Sequence, residues 1–378
     1  MKTISALNFC ESIFDGTHDS PKYIKEGKKL ITSKYLGRHV DFINAPSISD
    51  EDYNSINKRS KVKQYDVLFS MIGTVGQTYL IKECPDFAIK NIGVFRAKNE
   101  CDARYLHYYF QSQSFQEIIR LNLTGSTQKF LGLNQLKRLP ISVCDEQLKR
   151  HIVDTIGTID NLIEKNEEII TNARSLINAF YDTIIVETGN SILKDFFVIT
   201  IGRTPPTKES KWFNSSLRGS MKWLSIKDMA QNSTYIFETS QFLTNDALKK
   251  FNIPIVKEGD VLLSFKLTVG RTAIAGANMV TNEAIACFKA NSEYRNYLFC
   301  YLQRCNFLSD GDNTSSIGKA VNSTIIKNFP FVIPSKESLD TFNKKTHSLF
   351  ELIKLKQKEN ITLKTQKATL LCKYFPSN

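Results

Sequence analysis

At 378 residues, 42% of them hydrophobic and 23% charged, the chain has globular composition and the length for two or three domains with real cores. No apolar run approaches the length that spans a bilayer, and the opening MKTISALNFCESIF carries no long apolar segment, so neither a membrane span nor a signal peptide is expected. The net charge of +12 points to a polyanionic partner.

In chain order, a turn-forming stretch FDGTHDSPKY (14–23) precedes GKKLITSKYL (27–36). DVLFSMIGTVGQTYL (66–80) follows. Its Asp-Val-Leu-x-Ser alternates as a strand does, and Thr-Val-Gly suits a tight turn into a second strand, so a β-hairpin is expected. IGVFRA (92–97), YLHYYFQS (105–112) and GSTQKFLGLNQLKRLP (125–140) come next.

A long helix is then expected over 145–187. Ile152, Ile156, Ile159, Ile163, Asn166, Ile170, Ala173, Ile177, Phe180 and Ile184 alternate steps of four and three, a heptad seam. Asp145 suits the N-cap. Gly157 weakens the helix by about 1 kcal/mol relative to alanine. Asn166 is the kind of polar seam residue that fixes register. From Leu148 to Ile184 the helix would run about 55 Å, longer than one turn of duplex DNA at roughly 34–36 Å.

After this helix the order begins again. TIGRTPPTKESKW (200–212) stands where FDGTHDSPKY stood, and SMKWLSIKDM (220–229) aligns with GKKLITSKYL, Lys227 on Lys34. DVLLSFKLTVGRTAI (260–274) repeats the hairpin phrase 194 positions on, with eight of fifteen residues identical where about one is expected by chance. IACFKA (285–290), YLFCYLQR (297–304) and SSIGKAVNSTIIKNFP (315–330) complete the copy, Lys319 on Lys129 and Pro330 on Pro140. The period is far longer than a solenoid repeat. The expected organisation is a duplicated domain, 1–144 and 188–335, each copy followed by a helix, 145–187 and 336–378. The second seam runs Leu339, Phe342, Thr346, Leu349, Ile353, Lys356, Asn360, Leu363, Lys367, Leu370, and polar residues interrupt it.

Charge supports pairing of the helices. Segment 145–187 has 9 acidic and 4 basic residues, net −5, and 336–378 has 4 and 9, net +5. The excess lies on the domains: 1–144 has 20 basic and 14 acidic residues, and 188–335 has 17 and 11, each net +6. Two equally basic domains on a neutral stalk fit two sites along duplex DNA.

Catalytic signals are missing. There is no Gly-x-Gly-x-x-Gly, no Walker loop and no Asn/Asp-Pro-Pro-Tyr. Pro85-Asp86 has no Asp/Glu-x-Lys nearby. Glu209-Ser-Lys211 is such a tripeptide, with Asp195 upstream, but no proline precedes that aspartate and the other copy has nothing equivalent. Eight scattered cysteines form no Cys-x-x-Cys pair and read as mostly buried thiols in a reducing cytosol, and five isolated histidines lack zinc spacing. No catalytic residue, metal or cofactor is expected on this chain.

Two such domains, each followed by a long helix, resemble the specificity (S) subunit of type I restriction-modification systems. The Asp-Val-Leu…Thr-Val-Gly phrase, FDGTHDSPKY, IGRTPPTKESKW and GSTQKF followed by Leu-Pro carry the resemblance over essentially the whole chain. It implies two tandem α/β target-recognition domains joined by two long antiparallel coiled-coil helices, an internal repeat with pseudo-two-fold symmetry. It also implies a non-catalytic, cytoplasmic DNA-recognition subunit. Each domain would read half of a bipartite double-stranded target, the helices acting as a ruler for the spacer. Two methyltransferase (M) subunits carrying S-adenosylmethionine would dock on it, and restriction/motor (R) subunits would join them. Lysines in the second seam and the lack of a doubled proline in the first domain depart from the pattern.

Within the hairpins, Val67, Val75, Val261 and Val269 read as core. The polar positions Ser70, Thr74 and Gln77, with Ser264, Lys266, Thr268 and Arg271, are candidates to reach phosphates or bases, and Gly76 and Gly270 permit close backbone approach. Gln77 against Arg271 suggests an adenine-type against a guanine-type contact, and Met71 against Phe265 and Ile72 against Lys266 also differ between copies. Ser126 and Lys129, with Ser316 and Lys319, suit phosphate contact or an ordinary exposed loop. Thr17, His18, Arg203 and Thr204 in the opening turns, with Lys34 and Lys227, complete the DNA-contact set. The rival reading is a non-catalytic adaptor whose basic domains bind acidic proteins.

Overall fold

The computed structural model describes the chain apart from Met1, Arg38, 124–128, 185–190, 215–218, 230–232, 308–320 and Asn378. It divides into two compact units, the first made of two separate stretches, Met1–Ile163 with Thr362–Asn378, and the second of the single stretch Glu164–Ile361 between them in sequence. The long helices Glu146–Tyr181 and Lys336–Tyr374 each lend a part to both units.

In the first unit a four-stranded antiparallel sheet has the order Ser12–Asp15, Ile92–Arg96, Val67–Ser70, Thr78–Leu80. The second unit repeats it as Val198–Ile201, Ile285–Lys289, Val261–Ser264, Thr272–Ala275, extended by the parallel strand Tyr235–Ile236. Register repeats as well: Val67 lies opposite Leu80 and Phe95, and Val261 opposite Ile274 and Phe288. Their β-branched and aromatic residues fit a pleated, buried surface. The quoted phrase is therefore a hairpin in both copies. Its valines divide: Val67 and Val261 are fully buried, whereas Val75 and Val269 in the turns are half-buried. Each unit adds a smaller sheet with one parallel pair, Lys28–Thr32 beside Phe87–Lys90 and Ser220–Leu224 beside Val280–Thr281.

The tyrosines of YLHYY and YLFCY do the same task twice. Tyr105 and Tyr109 hydroxyls donate to the carbonyls of Ser142 and Pro140 at 2.8 and 3.0 Å. Tyr297 and Tyr301 donate to Val332 and Pro330, both at 2.7 Å. A buried tyrosine needs such a partner, and here the partner is the strand that leads into a long helix or, for Tyr297, the residue directly after that strand.

The first long helix is capped by Asp145, whose Oδ1 accepts from Leu148 N at 2.8 Å. In the first unit Ile152 and Ile156 share a core with Leu371 of the second helix and with Phe375 just after it. A Cβ on Gly157 would lie 3.4 Å from the Tyr108 hydroxyl, so the residue that weakens the helix makes room for that ring. The pairs His151–Tyr374 and Asp160–Lys367 run in opposite senses, so the segments are antiparallel. In the second unit Ile170, Ala173 and Ile177 share a core with Leu339, Phe342, Phe350 and Ile353, and the pairs Asn166–Asn360 and Tyr181–Phe342 again run in opposite senses. The polar interruptions are partnered: Lys367 Nζ reaches both Asp160 oxygens at 2.7 Å, Asn360 meets Asn166, and Lys356 pairs with Glu359 of its own helix at 2.7 Å.

Two expectations are corrected. The first long helix ends at Tyr181 rather than Ile184. The cysteines are not mostly buried: Cys10, Cys287 and Cys300 are, Cys101, Cys144 and Cys305 are half-buried, and Cys84 and Cys372 are exposed. Burial pushes the Cys10 and Cys300 thiols up to about 12.

Candidate nucleic-acid interface

The two hairpin turns share one internal scaffold. Ser70 N donates to Gln77 O at 2.9 Å and Gly76 N to Ser70 O at 3.1 Å. Ser70 Oγ donates to Thr74 O at 2.6 Å and accepts from Gln77 N at 2.9 Å. In the second turn Ser264 N donates to Arg271 O at 2.8 Å and Gly270 N to Ser264 O at 2.9 Å. Ser264 Oγ donates to Thr268 O and accepts from Arg271 N at 3.1 Å. Gly76 and Gly270 have φ of 95° and 94°, left-handed values that favour glycine. At the start of each phrase, Asp66 and Asp260 accept from Lys63 N and Lys257 N at 2.7 and 2.8 Å.

This corrects one expectation. Ser70 and Ser264 are 0% exposed, and both hydroxyls are used inside the turn, so they hold its shape and do not reach a ligand. Thr74, Gln77 and Thr268 are exposed on the same turns, and Lys266 is half-exposed, its Nζ 5.7 Å from the Phe265 ring. Arg271 is half-buried, and its Nη1 donates to the carbonyls of Ile226 and Met229 at 3.0 and 2.9 Å. The contrast with Gln77 is therefore one of exposure as well as chemistry. The same contact brings Arg271 next to the Lys227 segment, and Lys227 itself is exposed.

Beside the second turn lies a cavity of about 560 Å³. Thr268, Gly270 and Arg271 line it from the turn, Arg174 from the first long helix, and Gln303 and Arg304 from the helix Ser292–Arg304. Arg174 Nε donates to Thr234 Oγ1 at 2.8 Å, and burial pulls its guanidinium below the ordinary arginine value. Arg304 pairs with Asp182 at 2.9 Å and lies over the Tyr181 ring at 4.2 Å. Three guanidinium groups and several amide and hydroxyl donors suit an anionic group such as a phosphate. Sequence reading missed Arg174 and Arg304. One sits beside the apolar seam and the other at the end of a tyrosine-rich helix, and only the fold brings them to the turn.

The opening turns are tied to their own domains. Both ring nitrogens of His18 are engaged, Nδ1 with Asn91 Oδ1 at 2.7 Å and Nε2 with Asp15 Oδ2 at 3.0 Å. Thr17 Oγ1 donates to Asp19 Oδ2 at 3.3 Å. Arg203 Nη1 donates to Phe251 O at 2.8 Å, and the Thr204 hydroxyl to the Glu283 carboxylate. Lys34 is exposed, its Nζ 5.2 Å from the Tyr35 ring, and Lys129 is exposed. Ser126, Ser316 and Lys319 lie outside the described residues. Glu209 and Lys211 pair with each other at 2.8 Å, which holds the Glu209 carboxyl below its usual range.

A basic α/β domain built twice on one hairpin scaffold, with the side chains on the turn changed between copies, defines a recognition protein of duplicated reading domains. The family model of the type I restriction modification DNA specificity domain matches residues 21–173 and again 186–367, and the chain belongs to that family. A Methanocaldococcus jannaschii protein provisionally assigned as type I restriction enzyme MjaX specificity subunit is 22% identical over 343 residues, 81% of this chain and 76% of its own length. The MjaVIII specificity subunit of the same organism is 21% identical over 386 residues, covering 93% and 89%. The crystal structure of the type I restriction-modification S subunit from M. genitalium superposes with a TM-score of 0.56 at 14% identity, over 99% of this chain and 96% of that one, a likeness of fold. The chain is thus a DNA-recognition subunit of the type I restriction-modification class, a component without catalysis of its own. Among the described residues no helix is long and apolar enough to cross a membrane.

Proposed function

We propose that residues 1–144 and 188–335 each read one half of a bipartite duplex target, and that the helices over 145–187 and 336–378 set the unread spacer. The observation that carries this is the pair of turns: one backbone scaffold, with Gln77 exposed in one copy and Arg271 half-buried beside a cavity in the other. A shared framework with different side chains is what two independent half-sites require. Thr74, Gln77, Lys266, Thr268 and Arg271 are the proposed groove-facing residues, and Lys34, Lys129, Lys227 and Arg203 the phosphate contacts. The remaining opening-turn residues, Thr17, His18 and Thr204, shape the loops that carry them.

In this reading the subunit works in the cytoplasm. Methyltransferase subunits carrying S-adenosylmethionine dock on the helices, and restriction/motor subunits complete the complex. Each basic domain carries net +6, so binding depends on release of counterions from DNA. The test is duplex binding by the chain with its methyltransferase subunits across a salt titration. Affinity that falls steeply with salt and differs between duplex sequences supports the reading. Binding indifferent to salt and sequence refutes it and favours an adaptor for acidic proteins.

A further inference from the structure

Position 73 of the first turn and position 267 of the second correspond under the 194-residue repeat. Both have left-handed backbone, φ 79° at Gly73 and 60° at Leu267. Glycine occupies that region freely, whereas a leucine there meets its own Cβ clash. Nothing offsets the strain by burial, because Leu267 is 94% exposed. A single exposed leucine is ordinary. A fully exposed leucine in a left-handed conformation, where the sister copy has glycine, has no folding rationale.

The turn beneath Leu267 is anchored. Phe265 is 1% exposed, Ser264 staples the turn from inside, and Arg271 fastens it to the carbonyls of Ile226 and Met229. Lys266 and the exposed Thr268 flank the leucine. The result is a rigid, cation-flanked turn with one apolar side chain at its tip. Strain held at such a point by an over-determined surrounding marks a functional position.

We propose that Leu267 is a specificity-determining residue, an apolar tip that contacts a base pair in the half-site read by the second domain. The apolar feature that base edges present in the major groove is the thymine methyl group. Cationic neighbours favour DNA over a protein surface for this tip. The first half-site has no counterpart, since Gly73 carries no side chain. The inference rests on the proposed reading of DNA by the second domain.

The test uses the chain with its methyltransferase subunits, as wild type, Leu267→Gly and Leu267→Ala. Each is put through selection from randomised duplexes, then titrated on the wild-type-selected duplex and on copies with thymines replaced by uracil. Leu267→Gly is expected to melt at the same or a higher temperature, because it relieves the left-handed strain. Both variants should lose affinity by roughly tenfold on the selected duplex and relax preference at one half-site only. One uracil replacement should weaken the wild type comparably and leave Leu267→Gly unaffected. Variants that select the same sequence with unchanged affinity overturn the role of Leu267 and leave two-domain reading intact. A variant that loses the methyltransferase subunits but keeps its sequence preference also overturns it, marking the tip as a protein contact. A wild-type complex that selects no sequence overturns the underlying reading and the inference with it.

Discussion

Asn166 Nδ2 donates to Asn360 Oδ1 at 2.9 Å inside an apolar seam, the two residues 3% and 6% exposed. Buried together, the two amides pair with each other, and the register that brings them together gives Asn360 its partner. Asn166→Leu alone should destabilise by about 1–3 kcal/mol, because it strands the Asn360 amide. The double variant Asn166→Leu/Asn360→Leu should recover most of that loss. Urea unfolding of the three proteins measures it, and a double variant as unstable as the single one would refute the pairing.

The hairpin serines give a second expectation. Ser264→Ala removes one accepted and one donated bond beneath the turn and should lower stability by about 1–2 kcal/mol. Because the hydroxyl is internal, the slope of log affinity against log salt should stay as in the wild type. Thermal melting and a salt titration measure the two quantities. A shallower slope would make Ser264 a phosphate contact after all.

Lys227 is the opposite case, exposed and beside the segment that Arg271 holds. Lys227→Ala should leave melting unchanged and weaken binding on all duplexes alike, with the salt slope reduced by about 1. A change in the selected sequence without a change in slope would make it a base contact.

How much of this was legible in the sequence depends on the kind of residue. The duplication, the hairpin, Asp145 as cap and Asn166 as a polar seam residue could be read because repetition and heptad spacing are local signals. The partners of Asn166 and Lys367 could not, since Asn360 and Asp160 lie far along the chain and only antiparallel packing selects them. Ser70 and Ser264 looked like polar ligand groups because sequence records a hydroxyl and not its burial. Leu267 went unnoticed for the converse reason: an apolar residue suggests core, and only backbone geometry and exposure show it at the tip. The split first unit follows from a second long helix whose far part returns to the first core.

The His107 ring sets a pH dependence. Gln111 Nε2 lies 2.7 Å from its Nε2 and Thr78 Oγ1 3.3 Å from its Nδ1. Burial first, then the charges of Lys367, Lys82 and Arg104, lowers its pKa from 6.5 to about 3. The folded value lies below the unfolded one, so the unfolded chain binds the extra proton between them. Stability from this group is complete above about pH 6.5 and is lost as pH falls from there toward 3. Urea midpoints taken from pH 7.5 down to 4.5 should fall more steeply for the wild type than for His107→Gln, and equal slopes would contradict the assignment.

The central claim is that two domains read two half-sites independently. Methylation-aware sequencing of DNA from cells carrying the chain with its methyltransferase tests it most directly, repeated after residues 1–144 are exchanged for another domain of the family. The account predicts a bipartite motif, two defined half-sites around a spacer of fixed length, of which the exchange alters one half and spares the other and the spacer. A single continuous motif, or an exchange that rewrites both halves, would contradict it.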